Sequence, residues 1–382
     1  MSISKSRRDF VKKSIAAGIV IPILGSSFLA CTSKEKTSKL KILILGGTSF
    51  LGPHQIAYAL KRGHSVSIFT RGKTKSTVHK ELFDKVEHLV GDRNDNLTAL
   101  ERGKWDVVID NSGQNVKWTK DTANLLKDRA KFYLYTSSTG VYYPYLGNNL
   151  TEETKTLTKE PDTYNHKDEK LEYWYGVMKT NSENETIKAF GKDRSIIVRP
   201  TYMFGPGDKT DRFIHWPIRL AKGGEILVPG KVDDPVQYAD VRDVAEFMIR
   251  LAEEKTAGTF NVAGPTNKQT MNEFVTEAKD AFNVESTLIS IDDYDFLQKN
   301  GIDYLVPWIP PTGKNYGSAR ASNAKAIAVG LTFRNIKTSV KEMHDWWYSD
   351  ALTDERRAKY ENNKKNVLNT EKEILKKWKN IK

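Results

Sequence analysis

Short apolar runs alternate with longer stretches of mixed polarity through the first part of the chain after residue 40. The runs cover residues 41–45, 65–69, 86–90, 106–109 and 131–135. Continuous apolar runs of this length are typical of parallel strands buried on both faces, and the stretches between them suit helices. The pattern therefore predicts an α/β protein with a doubly wound parallel sheet and a smaller C-terminal α/β lobe.

The first residues have the features of an export signal. Arg7 and Arg8 precede an apolar run, residues 15–30, that is short for a membrane span. The paired arginines resemble the twin-arginine signal, which exports folded proteins. The only cysteine, Cys31, follows a lipobox-like sequence, so we predict a lipidated Cys31 and a periplasmic or cell-envelope lipoprotein. The alternative is an ordinary signal peptide with an incidental cysteine.

The positive charge is concentrated at the two ends of the chain. The formal net charge is +12. Residues 1–39 contain eight Lys and Arg against two Asp and Glu, and residues 354–382 contain ten against five. The region between them is nearly neutral, which argues against a basic nucleic-acid groove. We expect no nucleic-acid partner, and contact with a membrane only through the lipid anchor.

A glycine-rich turn, residues 46–52, joins the first predicted strand to a helix-like stretch. A strand, a glycine turn and a helix in this order form the dinucleotide-binding unit of the Rossmann fold, in which the helix N-terminus binds the pyrophosphate. The predicted cofactor-binding residues of this turn are Gly46, Thr48, Ser49, Phe50, Leu51 and Gly52.

Further cofactor contacts are expected where the second, third and fourth strands end. The second strand is followed by Arg71 and by no acidic residue, which favours NADP over NAD, whereas the alternative is an exposed loop cation. Asp92 and Arg93 follow the third strand, where Asp92 is expected near the adenine. Asn111 and Ser112 follow the fourth, in a turn of small residues beside the cofactor.

Three residues have the chemistry of a proton-transfer site. The fifth strand leads to Ser138 at the carboxyl edge of the sheet, and Tyr175 and Lys179 lie four apart on one face of a predicted helix, about residues 168–190. A lysine cation lowers the pKa of a nearby phenol by favouring the phenolate. We predict that Tyr175 exchanges a proton with a substrate oxygen that Ser138 also hydrogen-bonds.

These motifs resemble the NAD-dependent epimerase/dehydratase family, the extended short-chain dehydrogenases, over roughly residues 40–350. Three further segments support the resemblance: 199–208, 237–245 and 259–265. It implies a Rossmann fold, bound NAD or NADP, and catalytic Ser138, Tyr175 and Lys179. Tyr175 and Lys179, together with Pro200, are also expected to contact the cofactor.

The glycine turn departs from the family pattern at Ser49, which replaces the middle glycine. Serine is small enough for the turn, so cofactor binding is expected to survive. The Gly-Gly-Thr form of the turn also resembles an isoflavone-reductase-like branch and a chloroplast RNA-binding branch.

Segments after residue 200 are expected to form the substrate-binding lobe. Its predicted substrate-binding residues are Tyr202, Arg212 and Trp216, together with Ser138. Arg212 suits an anionic or polyhydroxylated ligand and Trp216 a sugar ring, and the alternative is an ion pair and a packed tryptophan. His54 is expected to be exposed at a helix start. No cluster of His, Cys, Asp and Glu has metal-ligand spacing, so no metal is predicted.

The predicted segments run in order along the chain. Residues 1–31 form the signal and 32–39 a polar tether. Residues 40–200 form the NAD(P)-binding Rossmann domain, and 201–350 the substrate-binding lobe, interleaved with it. Residues 351–382 form a basic helical tail on the surface.

The export signal and the catalytic motif together favour one reaction type. Free reduced nicotinamide is not expected outside the cytoplasm, so we predict an epimerase or dehydratase with a tightly held cofactor in a redox-neutral hydride cycle. Its substrate would be a sugar or other secondary alcohol. The alternatives are an NADP-dependent ketone or enone reductase, and a non-catalytic nucleotide- or RNA-binding protein. Relatives that pair through two helices also suggest a homodimer.

Overall fold

The computed structural model describes residues 38–111 and 113–381. The predicted signal, most of the tether, the predicted lipidation site Cys31 and the predicted cofactor contact Ser112 lie outside the described residues.

Twelve strands are present in the described part of the chain. They are β1 Lys41–Leu45, β2 Ser65–Thr70, β3 Glu87–Val90, β4 Trp105–Asp110, β5 Ala130–Thr136, β6 Ser195–Pro200, β7 Met203–Phe204, β8 Gly224–Pro229, β9 Pro235–Asp240, β10 Gly258–Val262, β11 Gly264–Thr270 and β12 Ser286–Ile291.

Eleven α-helices accompany them in the same region. They are α1 Leu51–Lys61, α2 Val116–Leu126, α3 Lys167–Phe190, α4 His215–Lys222, α5 Val241–Glu254, α6 Met271–Lys279, α7 Tyr294–Lys299, α8 Ala324–Ala328, α9 Ile336–Trp347, α10 Asp354–Glu361 and α11 Val367–Lys379.

The central sheet contains seven parallel strands in the order β10-β6-β5-β4-β1-β2-β3. β1 lies between β2 and β4, so that Leu45 is opposite both Phe69 and Asp110. The winding reverses at β1, and ligands of such sheets bind at this point, outside the carboxyl ends of the strands. The predicted doubly wound parallel sheet is confirmed.

Helices cover both faces of this sheet. α1 and α5 pack together on one face, where Ile56 and Phe247 belong to a buried cluster with the β1 residues Ile42 and Ile44. α2 and α3 pack together on the other face, where Leu126 and other apolar residues meet the alternate side chains of β1 and β5. Both faces of the central strands β1, β2 and β4 are therefore largely buried, which explains their continuous apolar runs, whereas the edge strand β3 is mostly exposed.

The smaller lobe has a three-stranded sheet, β11-β9-β7, and a two-stranded sheet, β12-β8. Helices α4, α6, α9 and α11 pack on these sheets around fully buried Trp216, Trp308 and Trp347. β10 follows the first strands of this lobe along the chain but pairs with β6 in the central sheet.

The C-terminal segment differs from the predicted surface tail, because α11 is packed into the smaller lobe. Ile374, Leu375 and Trp378 are buried in its core. Glu371 on the same helix is also buried, pairs with Arg219, and accepts the backbone N–H of Leu227 at 2.8 Å. Within residues 38–111 and 113–381, no helix combines the length and apolarity needed to cross a membrane.

Candidate active site

The turn between β1 and α1 is shaped by the close approach of Gly52 to Gly47. A Cβ atom at Gly52 would lie 2.4 Å from the carbonyl oxygen of Gly47, so a larger residue requires backbone movement. α1 begins at Leu51 without a side-chain cap, which leaves its first-turn N–H groups to a ligand such as phosphate. Ser49 is exposed and does not adopt a positive φ, so serine is accommodated in this turn.

A cavity of about 550 Å³, here called the cofactor groove, opens over this turn. Cofactor-binding residues were predicted at the ends of the first four strands. All of those that the structure describes line this groove: Gly46, Thr48, Ser49, Phe50, Leu51, Gly52, Arg71, Asp92, Arg93 and Asn111. Gln114, Trp118 and Lys209 also line the groove, although they belong to no cofactor motif.

The end of β2 presents cations to the groove. Thr70, Arg71 and Lys73 line it, and the two cations are exposed. Asp92, after β3, also lines the groove, and its carboxylate accepts the backbone N–H of Asn94 at 2.9 Å. The positions agree with a contact of Arg71 to the adenosine end, and the preference for NADP stays a prediction.

The predicted role of Arg93 needs correction. Its side chain lines the groove, but its guanidinium is turned to Asp110 at the end of β4. Nη1 and Nη2 donate to the two Asp110 carboxylate oxygens at 2.7 and 2.9 Å, and Nη2 also donates to Thr122. A fully buried aspartate requires such a partner. Arg93 is therefore an ion-pair partner within the sheet rather than a cation offered to the cofactor.

Asn111 is held in place by residues from two other elements. Its Nδ2 donates to Gln55 Oε1 at 2.6 Å, and its Oδ1 accepts the Thr136 hydroxyl at 2.8 Å. Gln55 is a fully buried residue of α1, and no sequence motif indicates its role. The three residues connect α1, β4 and β5 beneath the groove.

His54 was predicted to be exposed, and the structure corrects this. It is 5% exposed. Its Nε2–H donates to the carbonyl oxygen of Pro206 at 2.8 Å, and its Nδ1 lies 3.3 Å from Nε2 of His79. Burial lowers the pKa of His54 to about 4, so the ring is neutral at neutral pH. His54 thus connects α1 to the loop that follows β7.

Ser138, Tyr175 and Lys179 meet at the carboxyl end of β5. A Cβ atom at Gly176 would lie 2.6 Å from the carbonyl oxygen of Gly140, so glycine lets α3 approach the turn after Ser138. Ser138 Oγ accepts the backbone N–H of Gly140 at 3.0 Å, and its hydroxyl is close enough to Tyr175 to lower the pKa of that phenol. Lys179 Nζ donates to the carbonyl oxygen of Thr136 at 2.9 Å. The structure brings the three predicted catalytic residues together.

Burial decides the proton affinities of this group. It raises the pKa of Tyr175 above the ordinary value, against the hydrogen bond with Ser138 and the charge of Arg212, which lower it. Burial also lowers the pKa of Lys179 to about 8. The expected lowering of the Tyr175 pKa by Lys179 is not found, because Lys179 Nζ lies 5.9 Å from the ring centroid and burial dominates.

A second cavity of about 560 Å³, here called the substrate cavity, faces Ser138 and Tyr175. Its lining includes the predicted residues Ser138, Tyr175, Pro200, Tyr202 and Arg212, and also Tyr145, Glu172 and Thr201. Phe50 and Met203 line both this cavity and the cofactor groove, so the two adjoin. Pro200, predicted for the cofactor, lines the substrate cavity instead.

Trp216 is not a substrate-binding residue. It is fully buried in the core of the smaller lobe, and its indole N–H donates to the carbonyl oxygen of Val306 at 2.8 Å. The alternative interpretation, a packed tryptophan, is correct. Its hydrogen-bond partner lies 90 residues away, a pairing that the sequence does not reveal.

The sequence profile of the NAD dependent epimerase/dehydratase family matches residues 42–263, more than half of the chain. The matched region includes the glycine turn and the catalytic group. The chain belongs to this family. NAD is accordingly the cofactor by which the family is defined.

Individual relatives agree with this assignment. The chloroplast stem-loop binding protein of 41 kDa b from Arabidopsis thaliana is 31% identical over 247 residues, which cover 60% of each chain. This chain thus spans less than two thirds of that relative's length. UDP-N-acetylglucosamine 4-epimerase from Bacillus cereus has a similar structure, with a TM-score of 0.57 at 18% identity over 81% of this chain and all of that one.

A further similar structure is the Bordetella bronchiseptica enzyme WbmG in complex with NAD and UDP. Its TM-score is 0.57 at 17% identity, over 84% of this chain and 98% of that one. At these identities the likeness of the solved structures concerns the fold alone.

The groove fits the dinucleotide of this family. The uncapped start of α1 suits the pyrophosphate, and exposed Arg71 and Lys73 lie where β2 ends. Tyr175 lines the adjoining substrate cavity, and Lys179 donates to the carbonyl oxygen of Thr136, a residue that lines the groove. Among the described residues, no group of three or more His, Cys, Asp or Glu side chains is placed to hold a metal ion.

Residues 205–212 form a loop that lines both cavities. This loop is held by a contact with α10, which lies outside the residues that the family profile matches. Lys209 lines the cofactor groove and Arg212 lines the substrate cavity. Between them, Asp211 adopts a left-handed conformation with φ of 57° and pairs with Arg356 on α10. Left-handed backbone is unfavourable for a residue with a Cβ atom, so the ion pair helps to hold the loop.

We expect Arg356→Gln to loosen this loop. Loss of a partly buried ion pair should accelerate hydrogen–deuterium exchange of the backbone amides of residues 205–212 by about fivefold. Lys359→Gln, which removes an exposed charge from the same helix, is the matched control. Equal exchange in Arg356→Gln and in wild type would show that α10 does not hold the loop.

Proposed function

We propose that this protein is an exported, NAD(P)-dependent enzyme of the epimerase/dehydratase type that acts on a sugar or another secondary alcohol and keeps its cofactor between turnovers. The observation that carries the proposal is the position of Ser138 and Tyr175. Both residues line one cavity, and that cavity adjoins the cofactor groove.

The chain's own groups suit proton transfer at a substrate oxygen. When bound, a nicotinamide dinucleotide supplies a hydride acceptor and donor. Ser138 and Tyr175 hold the hydroxyl or carbonyl oxygen of the substrate, and Tyr175 gives or takes its proton. Lys179 fixes the end of β5 through Thr136, and its lowered pKa of about 8 makes its charge state sensitive to pH near neutrality.

The lining of the substrate cavity favours a ligand without a diphosphate. Among the described residues that line it, Arg212 is the only cation, and the Glu172 carboxylate lines the same cavity. A diphosphate group is usually bound by several cations or backbone N–H groups. Hydroxyl groups of Ser138, Thr201, Tyr145 and Tyr202, by contrast, suit a neutral polyol. A free sugar or glycoside therefore fits better than the nucleotide sugars named for the similar structures.

The predicted twin-arginine signal supports a cofactor that stays bound. A protein exported in the folded state can take up its nucleotide before export. Epimerisation and dehydration involve no net oxidation, so they need no external supply of reduced nucleotide. The predicted lipid anchor at Cys31 would hold the enzyme at the membrane, and pairing of two copies through their helices stays a prediction.

The full-length protein purified from the cell envelope tests this proposal. After denaturation, the supernatant should contain NAD or NADP in stoichiometric amount, measured by chromatography against a buffer blank. The protein should also convert a sugar from a panel of hexoses and glycosides without added nucleotide. A cofactor-free preparation that turns over only with added NADPH would instead support the reductase alternative, which Arg71 favours.

The second candidate function is RNA binding, which the stem-loop binding relative suggests. The nearly neutral region between the basic ends and the complete catalytic group speak against it. A gel-shift assay with a stem-loop RNA at physiological salt discriminates the two. Tight binding that survives there, without turnover of any alcohol, would favour the RNA-binding function.

A further inference from the structure

Glu172 lies in the substrate cavity with Ser138 and Tyr175. It precedes Tyr175 by three residues on α3, so the two Cβ atoms are about 5–6 Å apart on one face of the helix. Within the described part of the chain, the Glu172 carboxylate has no hydrogen bond or ion pair. It is therefore a carboxylate beside the catalytic hydroxyls that is open to a ligand.

Charged and phenolic groups from three segments surround this carboxylate. They are Arg212 after β7, Asp168 on α3, and the phenols of Tyr143, Tyr145, Tyr175 and Tyr202. The Glu172 side chain is exposed in the open cavity, and its partial desolvation there raises its pKa, against the charge of Arg212. Burial first, and the nearby Glu172 charge in addition, raise the pKa of all four phenols. Near neutral pH the phenols are consequently protonated donors beside a carboxylate of increased proton affinity.

We propose that Glu172 is a second catalytic acid–base group, which moves the proton on the carbon adjacent to the reacting carbonyl. The ketone oxygen accepts hydrogen bonds from Tyr175 and Ser138. A Glu172 oxygen takes the proton from the neighbouring carbon, the C–H bond breaks, and its electron pair forms the C=C bond of an enolate. The negative charge moves to the oxygen held by the two hydroxyls.

This step adds detail to the proposed function and rests on it, because the proposed reaction forms the ketone on which Glu172 acts. If the enolate turns over in the cavity before Glu172 returns the proton, the opposite face of the carbon is protonated and that centre is inverted. Loss of a leaving group from the next carbon instead completes an elimination. A reductase needs neither outcome, so Glu172 assigns the enzyme to epimerisation or elimination next to a transient ketone.

Solvent-deuterium exchange tests the step without turnover of the cofactor. The full-length protein is incubated in D₂O with dihydroxyacetone, D-fructose or 2-keto-myo-inositol, and loss of the proton signals next to the carbonyl is followed by ¹H NMR. Wild type should accelerate exchange of at least one ketone over the protein-free rate. Glu172→Gln should lower the enzymatic rate by about 100-fold or more, and Glu172→Asp should restore part of it.

Two controls separate this role from a structural one. Glu185→Gln removes a carboxylate from the same helix outside the cavity, and should exchange like wild type. The wild-type rate should fall with decreasing pH through a pKa above that of an ordinary glutamate. The proposal is overturned if the wild-type protein accelerates exchange in none of the ketones. It is also overturned if Glu172→Gln exchanges as fast as wild type. If exchange depends on Glu172 but the protein oxidises no alcohol, the role of Glu172 in proton transfer is supported. The proposed function is then refuted.

Discussion

Tyr175→Phe should lower kcat/KM on the alcohol substrate by about 100- to 10,000-fold, the range that a positioned proton-transfer group contributes. The change removes one oxygen atom and leaves the aromatic ring in its packing against Gly140. The group that exchanges a proton with the substrate is lost, while Ser138 stays in the cavity. Initial rates on the alcohol identified from the sugar panel give the measurement.

Tyr173→Phe is the matched control. Tyr173 lies on the same helix, and its ring packs edge-on against Tyr143 rather than lining the substrate cavity. It should retain wild-type activity, and both variants should release the same amount of nucleotide on denaturation. If Tyr175→Phe were as active as wild type, the assignment of proton transfer to Tyr175 would be wrong, and the non-catalytic functions would gain support.

The strands and the cofactor groove could be predicted because their signals are local. A strand buried on both faces needs a continuous apolar run, and the run at residues 41–45 coincides with β1. The turn after it must accommodate the contact between Gly52 and Gly47, which requires glycine at residue 52. The spacing of Tyr175 and Lys179 similarly follows from one turn of α3.

Contacts between distant segments could not be predicted in this way. An arginine after a strand has the same sequence signal whether it contacts the cofactor, as expected of Arg93, or a buried Asp110. Trp216 and His54 are buried by elements that lie far from them in the chain. Glu172 belongs to no motif, because its place in the substrate cavity depends on the packing of α3 against the turn after Ser138.

The second large effect concerns an ion pair that holds the catalytic turn, Arg199 on β6 with Glu183 on α3. Nε and Nη2 of Arg199 donate to the two Glu183 oxygens at 2.8 and 2.6 Å, and both side chains are buried. The hydroxyl of Ser137 donates to Glu183, and that of Tyr142 accepts from Arg199. The pair thus connects the two ends of the turn that contains Ser138.

Arg199→Met should reduce the free energy of unfolding by about 3–5 kcal/mol, because it leaves the Glu183 carboxylate buried without its guanidinium partner. Urea denaturation of wild type and variant measures this difference. The double variant Glu183→Leu/Arg199→Met should recover much of the loss, because neither charge is then buried alone. It should not have wild-type activity, since Glu183→Leu also removes the acceptor of the Ser137 hydroxyl next to Ser138. A single variant as stable as wild type would mean that water reaches Glu183, and the turn would then be held by Tyr142 and the packing of α3 alone.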